Sequence, residues 1–490
     1  MEKILDSMVG FLWGKPLIFM ILFTGLYFMI GTKCFQFSHF GHIMSQTFGK
    51  LLKKTKDEDN NSKGVLSPLE AVSTAIGGSV GVGNMGGVAT AIAVGGPGAV
   101  FWMWVTSLIG MLIKTGEVTL AVYYRNTDEE GFTYGGPTYY MEKGLGEEKG
   151  FKLWTIPALI FGFGIFATFP ITLQNYTVSE AVSSTFGLNM ITVAIIYVIV
   201  NYLMILGGIK TLGKIASKIV PIMCLFYIIA GVFIIGKNIG NVGPSFSLIF
   251  SGAFNGTAAL GGFTGAAAAQ VIRLGIARAV FSNEAGWGTS PMIHSTAKTD
   301  HPVKQGMWGA FEVFIDTMVV CTITALVIII TGEWSSGASG ATLTLNAFEH
   351  GIGSMGRKIV AIGVFLFGVT TSSGWYSYYE IILRHALKEK VALKNNILKV
   401  YKAIYPFPGL LMVIYVVKNG LPGKYVWYFA DITSAIPTFA NVFTILLLGS
   451  TFFKLIKDYK ARYLGIGKVD ENFKVFYEDK KDTQDKKIVA

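Results

Sequence analysis

Long apolar runs separated by short polar segments extend along almost the whole chain. An α-helix needs about 20 consecutive apolar residues to cross the hydrocarbon core of a membrane, and the runs reach that length. They lack the strict alternation of outer-membrane strands, so the pattern predicts an all-α polytopic membrane protein. Eleven transmembrane helices are predicted, at 16–34, 66–95, 98–124, 152–185, 188–208, 215–236, 252–275, 305–332, 356–382, 399–417 and 425–455.

The amino-acid composition agrees with a membrane protein. The chain is 52% hydrophobic and 14% charged, with a mean hydropathy of +0.52, whereas a soluble domain carries roughly 25% charged residues. Cys34, Cys224 and Cys321 each lie in or beside an apolar run, which predicts buried thiols rather than disulfides or a cysteine metal site. The N-terminal segment has no small-residue cleavage site, so we do not expect a removable signal peptide.

The basic residues are distributed unequally between the two sides of the predicted spans. If the N-terminus lies outside, 33 of the 41 lysines and arginines fall in cytoplasmic segments, 7 fall in outer segments, and Lys114 lies within a span. Because cytoplasmic loops carry the excess of Lys and Arg, we expect the N-terminus outside and the C-terminus inside. The net charge of +11 then indicates topology and contact with anionic membrane lipid, and no nucleic-acid partner is expected.

Three polar segments lie between or beyond the spans. Residues 51–65 form a predicted cytoplasmic linker, and 333–355, rich in Gly, Ser and Thr, form the longest predicted outer loop. The charged tail 466–490 is expected to be poorly ordered, because it contains too few apolar residues to pack. The sequence does not indicate an oligomer and is compatible with a monomer.

Two of the predicted spans are interrupted by glycine near their middle. One is 66–95, and the other is 252–275, where the interruption is expected at 256–266. They are five spans apart and therefore cross in opposite directions, which predicts an inverted five-plus-five repeat preceded by one extra helix. The predicted units are the extra helix with its linker (1–65), the first repeat (66–236), the second repeat (237–455) and the tail (456–490).

The first interruption, at 73–90, carries the strongest indication of a binding site. A broken helix leaves carbonyls at the end of its first half and N–H groups at the start of its second half. Carbonyls of residues 75–79 are suited to a small cation, and the N–H groups of 81–85, with the amide of Asn84, are suited to a carboxylate. The alternative is a small-residue face for helix packing, which we prefer for Gly86 and Gly87.

Polar and aromatic residues in two other spans could complete such a site. In the ninth span, Thr371 and Ser372 offer hydroxyl oxygens suited to Na⁺, although hydroxyls in spans often bond only their own helix. Trp375 follows one turn after Thr371 and could form the wall of an apolar pocket or simply pack in the core. Gln174 in the fourth span could bind the ammonium or carboxylate of a substrate, or bond another helix.

Two pairs of charged residues inside predicted spans are candidates for a functional or structural role. Lys114 and Glu117 are three residues apart and are expected to pair with each other. Glu312 and Asp316 could relay protons, but we favour pairing with Arg273 or Arg278, which would lie on the same side of the membrane.

The segment after the seventh predicted span combines small and polar residues. Asn283 and Glu284 begin it and are expected at the cytoplasmic face, as an inner gate or a loop-ordering element. No nucleophile–base pair or metal cluster lies within one accessible loop, so we do not expect an enzyme. A channel would need a continuous polar lining or a charged ring, which the spans do not offer.

Several ordered motifs resemble those of one transporter family. The motifs are Val80-Gly-Val-Gly-Asn84, Gly95-Gly-Pro-Gly-Ala-Val-Phe-Trp-Met-Trp104 followed by Gly110, Gly135-Gly-Pro-Thr-Tyr-Tyr140, Phe281-Ser-Asn-Glu-Ala-Gly286, Lys298-Thr-Asp-His-Pro302 and Phe314-Ile-Asp-Thr317. Together they make the region from about residue 10 to about residue 460 similar to the alanine-or-glycine:cation symporters, the sodium:alanine symporter family. The chain departs from the family pattern at Val82, where threonine is common, and in Lys114-Thr-Gly-Glu117.

This resemblance implies a LeuT-type fold in eleven helices. It also implies Na⁺-coupled uptake of alanine or glycine across a bacterial or archaeal plasma membrane, with H⁺ coupling as the main alternative and a channel as a remote one. Implied substrate contacts are Val80, Gly81, Asn84, Gln174, Phe263 and Trp375. Implied Na⁺ ligands are the carbonyls of Ile76 and Ser79 with the hydroxyls of Thr371 and Ser372.

Overall fold

The structure, a computed structural model, is built almost entirely from helices and describes residues 2–52, 64–128, 131–169, 173–255, 265–421 and 424–481. The helices are α1 (Glu2–Leu12), α2 (Lys15–Thr32), α3 (Phe35–Ser38), α4 (Phe40–Gln46), α5 (Phe48–Leu52), α6 (Pro68–Ser79), α7 (Val88–Gly95), α8 (Ala99–Tyr123), α9 (Pro137–Tyr140), α10 (Thr155–Ala167), α11 (Leu173–Phe186), α12 (Met190–Ile205), α13 (Gly208–Lys237), α14 (Val242–Asn255), α15 (Gly265–Asn283), α16 (Ser290–His294), α17 (Pro302–Val313), α18 (Thr322–Ile330), α19 (Gly340–Ile352), α20 (Ser354–Ala386), α21 (Val391–Ile404), α22 (Phe407–Lys418), α23 (Lys424–Leu447) and α24 (Gly449–Leu464).

Shorter elements connect these helices. Three segments have the wider π-helical turn, namely Gly83–Gly87, Met141–Glu148 and Phe314–Cys321, and two are single 3₁₀ turns, Ile239–Asn241 and Glu333–Ser335. Strands β1 (Asn126–Thr127) and β2 (Thr133–Tyr134) pair antiparallel.

Seven helical stretches of the described chain are long and apolar enough to cross a membrane. They are Lys3–Thr32, Ala99–Tyr123, Gly208–Lys237, Pro302–Ile330, Ser354–Ala386, Val391–Lys418 and Tyr425–Leu447. The predicted all-α membrane class is therefore confirmed, whereas the count of eleven spans and the five-plus-five arrangement stay predictions. The predicted span 152–185 comprises two helices, α10 and α11, and 170–172 between them lie outside the described residues.

The outside of the helix bundle is strongly apolar. Phe163 on α10, Leu203 on α12 and Ile222 on α13 are 69%, 64% and 69% exposed. Burying a side chain of this size away from water is worth roughly 1.5–3 kcal/mol. The large number of exposed apolar side chains therefore indicates that this surface contacts lipid.

Helix α8 passes through the middle of the bundle and packs against α2, α15 and α17. Close approach depends on small residues: a Cβ on Gly116 would lie 2.5 Å from Phe28 of α2, and one on Gly309 of α17 would lie 2.9 Å from Val118. Such small-residue contacts let helices pack closely where no water drives their association. A Cβ on Gly275 of α15 would likewise lie 2.6 Å from Trp102, so α8 also packs closely against α15.

A second broken helix runs antiparallel to the first. A Cβ on Gly95, at the end of α7, would lie 3.2 Å from Leu274 on α15, and one on Gly83 would lie 3.4 Å from Ser282. Beyond α16, the carbonyl of Thr296 accepts a bond from the N–H of Val65, 2.7 Å away and just before α6. Thus α15 and α16 together cross the molecule in the direction opposite to α6 and α7.

The structure describes a break that was not predicted from the sequence. Helix α15 is continuous to Asn283, and the chain leaves the helix at 284–289, where Glu284, Gly286 and Gly288 have φ of +55°, +88° and +86°. Left-handed backbone at three of these six positions ends the helix. The predicted interruption at 256–266 falls largely on 256–264, which lie outside the described residues, and it stays a prediction.

Arg273 and Arg278 also lie elsewhere than predicted. They belong to α15 beside α7, at the end of the bundle where the chain begins, and not in a loop at the opposite end. When both residues are counted with the outer segments, the distribution of Lys and Arg assigned from the sequence changes from 33 against 7 to 31 against 9. The predicted excess of basic residues in cytoplasmic segments therefore remains.

Two segments predicted to be loop or tail contain packed structure. The predicted loop 333–355 contains α19, whose Leu343, Leu345 and Phe348 are fully buried, and whose Thr344 Oγ1 donates to the carbonyl of Met85 at 3.0 Å. The predicted span 425–455 divides into α23 and α24. After α24 the chain turns back, and Tyr477 is buried against Tyr124 at the end of α8. The tail therefore docks through the residues around Tyr477, whereas 466–472 are exposed.

Candidate functional site

The first break is formed by three residues between two well-defined helix ends. Helix α6 begins with a capping box between Ser67 and Glu70 and ends at Ser79. Val80 then adopts an extended conformation (φ −70°, ψ 99°), and helical turns resume in the π-helical segment Gly83–Gly87. The predicted interruption of this span is confirmed, and it lies at 80–82.

Asn84 closes the break from within the protein. Its Oδ1 accepts a hydrogen bond from the N–H of Gly81 at 2.7 Å. Its Nδ2 donates to Asp316 Oδ1 at 2.6 Å, and the side chain is fully buried. Both groups that were predicted to receive a substrate carboxylate, the Gly81 N–H and the Asn84 amide, are thus engaged with protein partners in this conformation.

Asp316 joins the two broken helices. Its Oδ2 accepts a bond from Ser282 Oγ at 2.9 Å, one residue before the end of α15, while Oδ1 is bonded to Asn84. The predicted pairing of Asp316 with Arg273 or Arg278 is wrong, since Arg278 forms a bidentate pair with Asp431 at 2.8 and 2.5 Å. Sequence reasoning could not find this link because Asn84 and Asp316 are 232 positions apart.

Thr371 lies directly beside the first break. Its Oγ1 donates to the carbonyl of Gly77 at 3.1 Å, and a Cβ on Gly81 would lie only 2.3 Å from that same oxygen. Ile76 and Ser79 flank Gly77 in the last turn of α6, where Ser79 Oγ lies 3.4 Å from the Ile76 carbonyl. Three of the four predicted Na⁺ ligands, Ile76, Ser79 and Thr371, are therefore neighbours across α6 and α20.

Ser372, the fourth predicted ligand, is turned toward another helix. Its Oγ lies 2.6 Å from the hydroxyl of Tyr197 on α12, which also donates to the carbonyl of Gly368 at 2.6 Å. Because consecutive helical residues point about 100° apart, Ser372 faces α12 in this conformation while Thr371 faces α6. Tyr197 was not among the predicted site residues, and no local signal marks it within the apolar run 188–208.

A cavity beside the second break brings three of the predicted residues together. It has about 410 Å³ of empty volume, including the space at its mouth. Gln174, Ser372 and Trp375 line it, together with Phe281, which precedes the second break, and Trp287, which lies within it. Val80, Gly81 and Asn84 are not among its lining residues, so the predicted substrate residues divide between this cavity and the first break, and Phe263 lies outside the described residues.

Trp375 and Glu284 connect this cavity to the second break. The indole Nε1 of Trp375 donates to Glu284 Oε1 at 3.1 Å, and Thr289 Oγ1 donates to Glu284 Oε2 at 2.6 Å. Trp287 packs edge-on against Trp375, with ring centroids 5.1 Å apart. Glu284 is only 2% exposed and shapes the break, so its predicted place at the cytoplasmic face is wrong.

Asn283 has the same shaping role at the end of α15. Its Oδ1 accepts a bond from the N–H of Ala285 at 2.9 Å, and its Nδ2 donates to Thr317 Oγ1 at 2.9 Å. Asn283 and Glu284 therefore both bond to groups that the end of the helix leaves free.

Lys114 and Glu117 do not form the predicted local pair. Lys114 Nζ lies 3.8 Å from Glu312 Oε1 and donates to the Glu284 carbonyl at 2.9 Å. Glu117 accepts bonds from the Gly286 N–H, at 3.1 Å, and from Asn441 Nδ2. Both α8 residues thus bind the second break, which explains why charges are retained in this buried helix.

Comparison with known proteins agrees with these features. A model of the sodium:alanine symporter family matches residues 1–473. The sodium/alanine symporter AgcS of Methanococcus maripaludis is 37% identical over 452 residues, which cover 91% of this chain and 94% of that protein. The probable sodium/glutamine symporter GlnT of Bacillus subtilis is 36% identical over 486 residues, which cover 98% of this chain and 95% of that protein.

A solved transporter shares the fold. The crystal structure of MhsT in complex with L-phenylalanine aligns with a TM-score of 0.56 and 11% identity, and it covers 80% of this chain and 98% of that chain. This likeness supports the LeuT-like fold only. The family consists of transporters rather than enzymes, and its members include amino-acid symporters. With its membrane-length helices and a family match over 1–473, the chain belongs to the sodium:alanine symporter family and is a multi-pass secondary amino-acid symporter.

Proposed function

We propose that the protein couples inward movement of Na⁺ to uptake of a small neutral amino acid, alanine or glycine, by alternating access. The observation that carries this proposal is the position of Thr371, whose hydroxyl lies against the last turn of α6 at the break. Carbonyl and hydroxyl oxygens from two helices are hard, neutral ligands suited to Na⁺, and a cation between α6 and α20 would hold the two helices together. Ile76, Ser79 and Thr371 are the proposed ligands, with Ser372 able to join them only after leaving Tyr197.

The cavity beside the second break supports a small substrate. Trp287, Trp375 and Phe281 give it aromatic walls, while Gln174 offers an amide that can bind either end of a zwitterion. The substrate carboxylate would bind the N–H of Gly81 at the first break, beside Val80, whose own N–H donates to the Ile76 carbonyl at 2.7 Å. Since the Gly81 N–H is bonded to Asn84, carboxylate binding requires Asn84 to move, which would loosen its bond to Asp316.

The proposed orientation places the N-terminus outside and the C-terminus in the cytoplasm. It is supported by the distribution of Lys and Arg along the sequence, which assigns 31 to cytoplasmic segments and 9 to outer ones once Arg273 and Arg278 are counted as outer. The units proposed for the inverted repeat, 66–236 and 237–455, each contain one broken helix under this assignment.

Radiolabelled uptake into proteoliposomes tests the proposal. We expect alanine or glycine to accumulate when an inward Na⁺ gradient is imposed and not when K⁺ replaces Na⁺. A panel that includes glutamine is needed, because GlnT is named for that substrate. Uptake that proceeds equally without a Na⁺ gradient would remove the coupling claim.

Proton coupling is the second candidate, and one observation favours it. Asp316 is a fully buried carboxylate that contacts both broken helices, so its protonation would alter the bonds to Asn84 and Ser282. An imposed pH gradient in Na⁺-free buffer separates the two mechanisms: uptake under that condition favours H⁺, and its absence favours Na⁺.

A further inference from the structure

A large pocket lies between α24 and the chain that turns back after it. The pocket has about 1220 Å³ of empty volume, including the space at its mouth. Lys454 and Lys457 of α24 form one wall, and Lys468 and Lys474 of the returning segment form the opposite wall. Neither the amino-acid cavity nor the two breaks contribute to it.

The returning segment is held in place by specific contacts, so the pocket is a built feature. Lys480 Nζ donates to Glu148 Oε1 at 2.6 Å, and Tyr477 OH donates to Glu147 Oε2 at 3.2 Å. Glu478 Oε1 accepts a bond from the N–H of Thr127 at 2.9 Å. These contacts fix the segment to the end of α8 and to the helical turns of 141–148, and they leave the space beside α24 unfilled.

Two of the three acidic residues of the pocket are paired with basic side chains. Glu148 is paired with Lys480. Asp458 lies 3.2 Å from His301 Nε2 and 2.8 Å from Arg462 Nε. The third, Asp470, accepts a bond from the N–H of Asn472 at 3.0 Å and forms no ion pair with the described residues. One unpaired carboxylate therefore faces the four lysines of the two walls, which leaves an excess of positive charge.

Lys454, Lys457, Lys468 and Lys474 have no hydrogen-bond or ion-pair partner within the part of the chain that the structure describes. Four ammonium groups facing one space repel one another, and the repulsion is relieved only by water, salt or a bound anion. This excess of positive charge in one pocket favours the binding of an anionic ligand.

The pocket lies at the end of the membrane-spanning helices. Tyr123, the last residue of α8, lines it. One turn before Lys457, Phe453 of α24 packs against Tyr27 and Phe28 of the spanning helix α2, with ring centroids 5.1 and 5.9 Å apart. The lysines therefore begin where α24 leaves the apolar layer, at the depth of phospholipid headgroups.

We infer that this pocket binds a phosphate-bearing anion between the two lysine walls. Lysine binds phosphate as a compact point charge, and basic pockets at the cytoplasmic ends of spanning helices suit anionic lipid headgroups. The depth of the pocket favours a lipid headgroup over a soluble phosphate compound. The inference is independent of the transported amino acid and of the coupling ion.

Titration of the purified full-length protein with lipid tests this inference. The midpoint of thermal unfolding is followed in neutral detergent while phosphatidylglycerol or phosphatidylcholine is added. Phosphatidylglycerol should raise the midpoint saturably, and phosphatidylcholine should not. In K454Q/K457Q the apparent affinity should fall by about fivefold per lysine removed, and K468Q/K474Q should show a similar loss.

A control variant and a set of soluble control anions distinguish a binding pocket from a charged surface. The variant K390Q/K399Q removes the same charge from exposed lysines that do not line the pocket and should leave the affinity unchanged. Equal loss in this control, or loss from α24 variants alone, would indicate a charged surface rather than a pocket and overturn the inference. A lysine-dependent rise with inorganic phosphate or ATP instead of lipid would support the pocket with a soluble ligand, and no lysine-dependent rise with any of these anions would overturn it.

Discussion

Asn84 shows how one side chain can have a role that the sequence only half reveals. Its position after two glycines in an apolar run predicts a functional amide, and the structure makes it a buried amide that contacts Gly81 and Asp316. Its bond to Asp316 could not be predicted, because Asp316 belongs to a span that is distant in sequence. From the sequence alone, Asp316 could equally have been a proton-relay residue. The bond to a charged acceptor is worth about 1.5–3 kcal/mol, enough to decide which conformation of the break is populated.

Replacement of Asn84 by alanine should abolish transport without unfolding the protein. The change leaves the Gly81 N–H and one oxygen of Asp316 without their partner. If the two lost hydrogen bonds raise the barrier of the transport cycle by about 2.7 kcal/mol, the uptake rate falls about a hundredfold. Initial rates of alanine uptake at matched protein density measure this loss.

Asn175→Ala is the matched control for Asn84→Ala. Asn175 is also buried, but its Oδ1 accepts a bond from Ser179 in the same helix, so the amide joins no second element. Similar losses in both variants would mean that any buried amide matters and that the link to Asp316 has no special role.

Gly81 tests the closeness of α6 and α20. A Cβ at this position would lie 2.3 Å from Thr371 Oγ1, so Gly81→Ala should displace the hydroxyl and raise the Na⁺ concentration for half-maximal uptake at least tenfold. Gly236→Ala, in a spanning helix with open space around its Cα, should leave uptake unchanged. An unchanged Na⁺ response in Gly81→Ala would place the cation elsewhere.

At the scale of elements, the first broken helix was predicted from the sequence, whereas the break at 284–289 was not. The first break lies within a run that remains apolar on both sides. The cluster of glycines there therefore indicated an interrupted helix rather than the end of a span. At the second break, Glu284 suggested the end of a span, because a charge in an apolar run normally marks a loop. The structure compensates that charge with bonds from Thr289 and Trp375, and such partners cannot be identified from spacing.

The second break should be sensitive to added bulk at Gly288. Its φ is +86°, and a Cβ there would lie 2.7 Å from Pro137 and 2.8 Å from Phe161. Gly332 has a similar φ of +78° but open space around it, so Gly332→Ala isolates the backbone strain common to both substitutions. Gly288→Ala should lower the thermal unfolding midpoint clearly more than Gly332→Ala, and equal shifts would show that packing around Gly288 is loose.

At the scale of the whole molecule, α8 and the charge asymmetry organise what the sequence could predict. Span existence, class and the excess of basic residues at one end follow from composition along the chain and need no long-range contact. Helix α19 and the docked end of the tail around Tyr477 were missed, because α19 is too short for a span, the tail is largely polar, and the burial of both depends on partners such as Met85 and Tyr124. Long-range partners therefore limit prediction more than local propensity does.

A polar contact at the end of α20 ties distant parts of the chain and should be pH-dependent. Glu142 lies 2.8 Å from His385 Nε2 and also accepts a bond from Lys388. Burial raises the pKa of Glu142, but the bonds from His385 and Lys388 outweigh burial and lower this pKa to about 2. A lowered pKa contributes stability that is complete above the ordinary glutamate pKa of about 4.3 and is lost as the pH falls toward 2.

Glu142→Gln should therefore lower the thermal unfolding midpoint at pH 7, and the difference from the unmodified protein should shrink below about pH 4. Midpoints measured between pH 7 and pH 3 in one detergent check this sign. A difference that grows as the pH falls would contradict the assignment of these bonds to the ionised carboxylate.

The Na⁺ dependence of alanine uptake in Thr371→Ala tests the central claim most directly, since the claim is that a cation binds between α6 and α20 beside the first break. Ser373→Ala is the matched control, because Ser373 is buried in the same helix and its hydroxyl donates only to the Val369 carbonyl, at 2.7 Å. We predict Na⁺-driven uptake in the unmodified protein, at least a tenfold higher half-saturating Na⁺ concentration in Thr371→Ala, and no change in Ser373→Ala. Uptake that is independent of Na⁺, or an identical Na⁺ response in all three proteins, would contradict it.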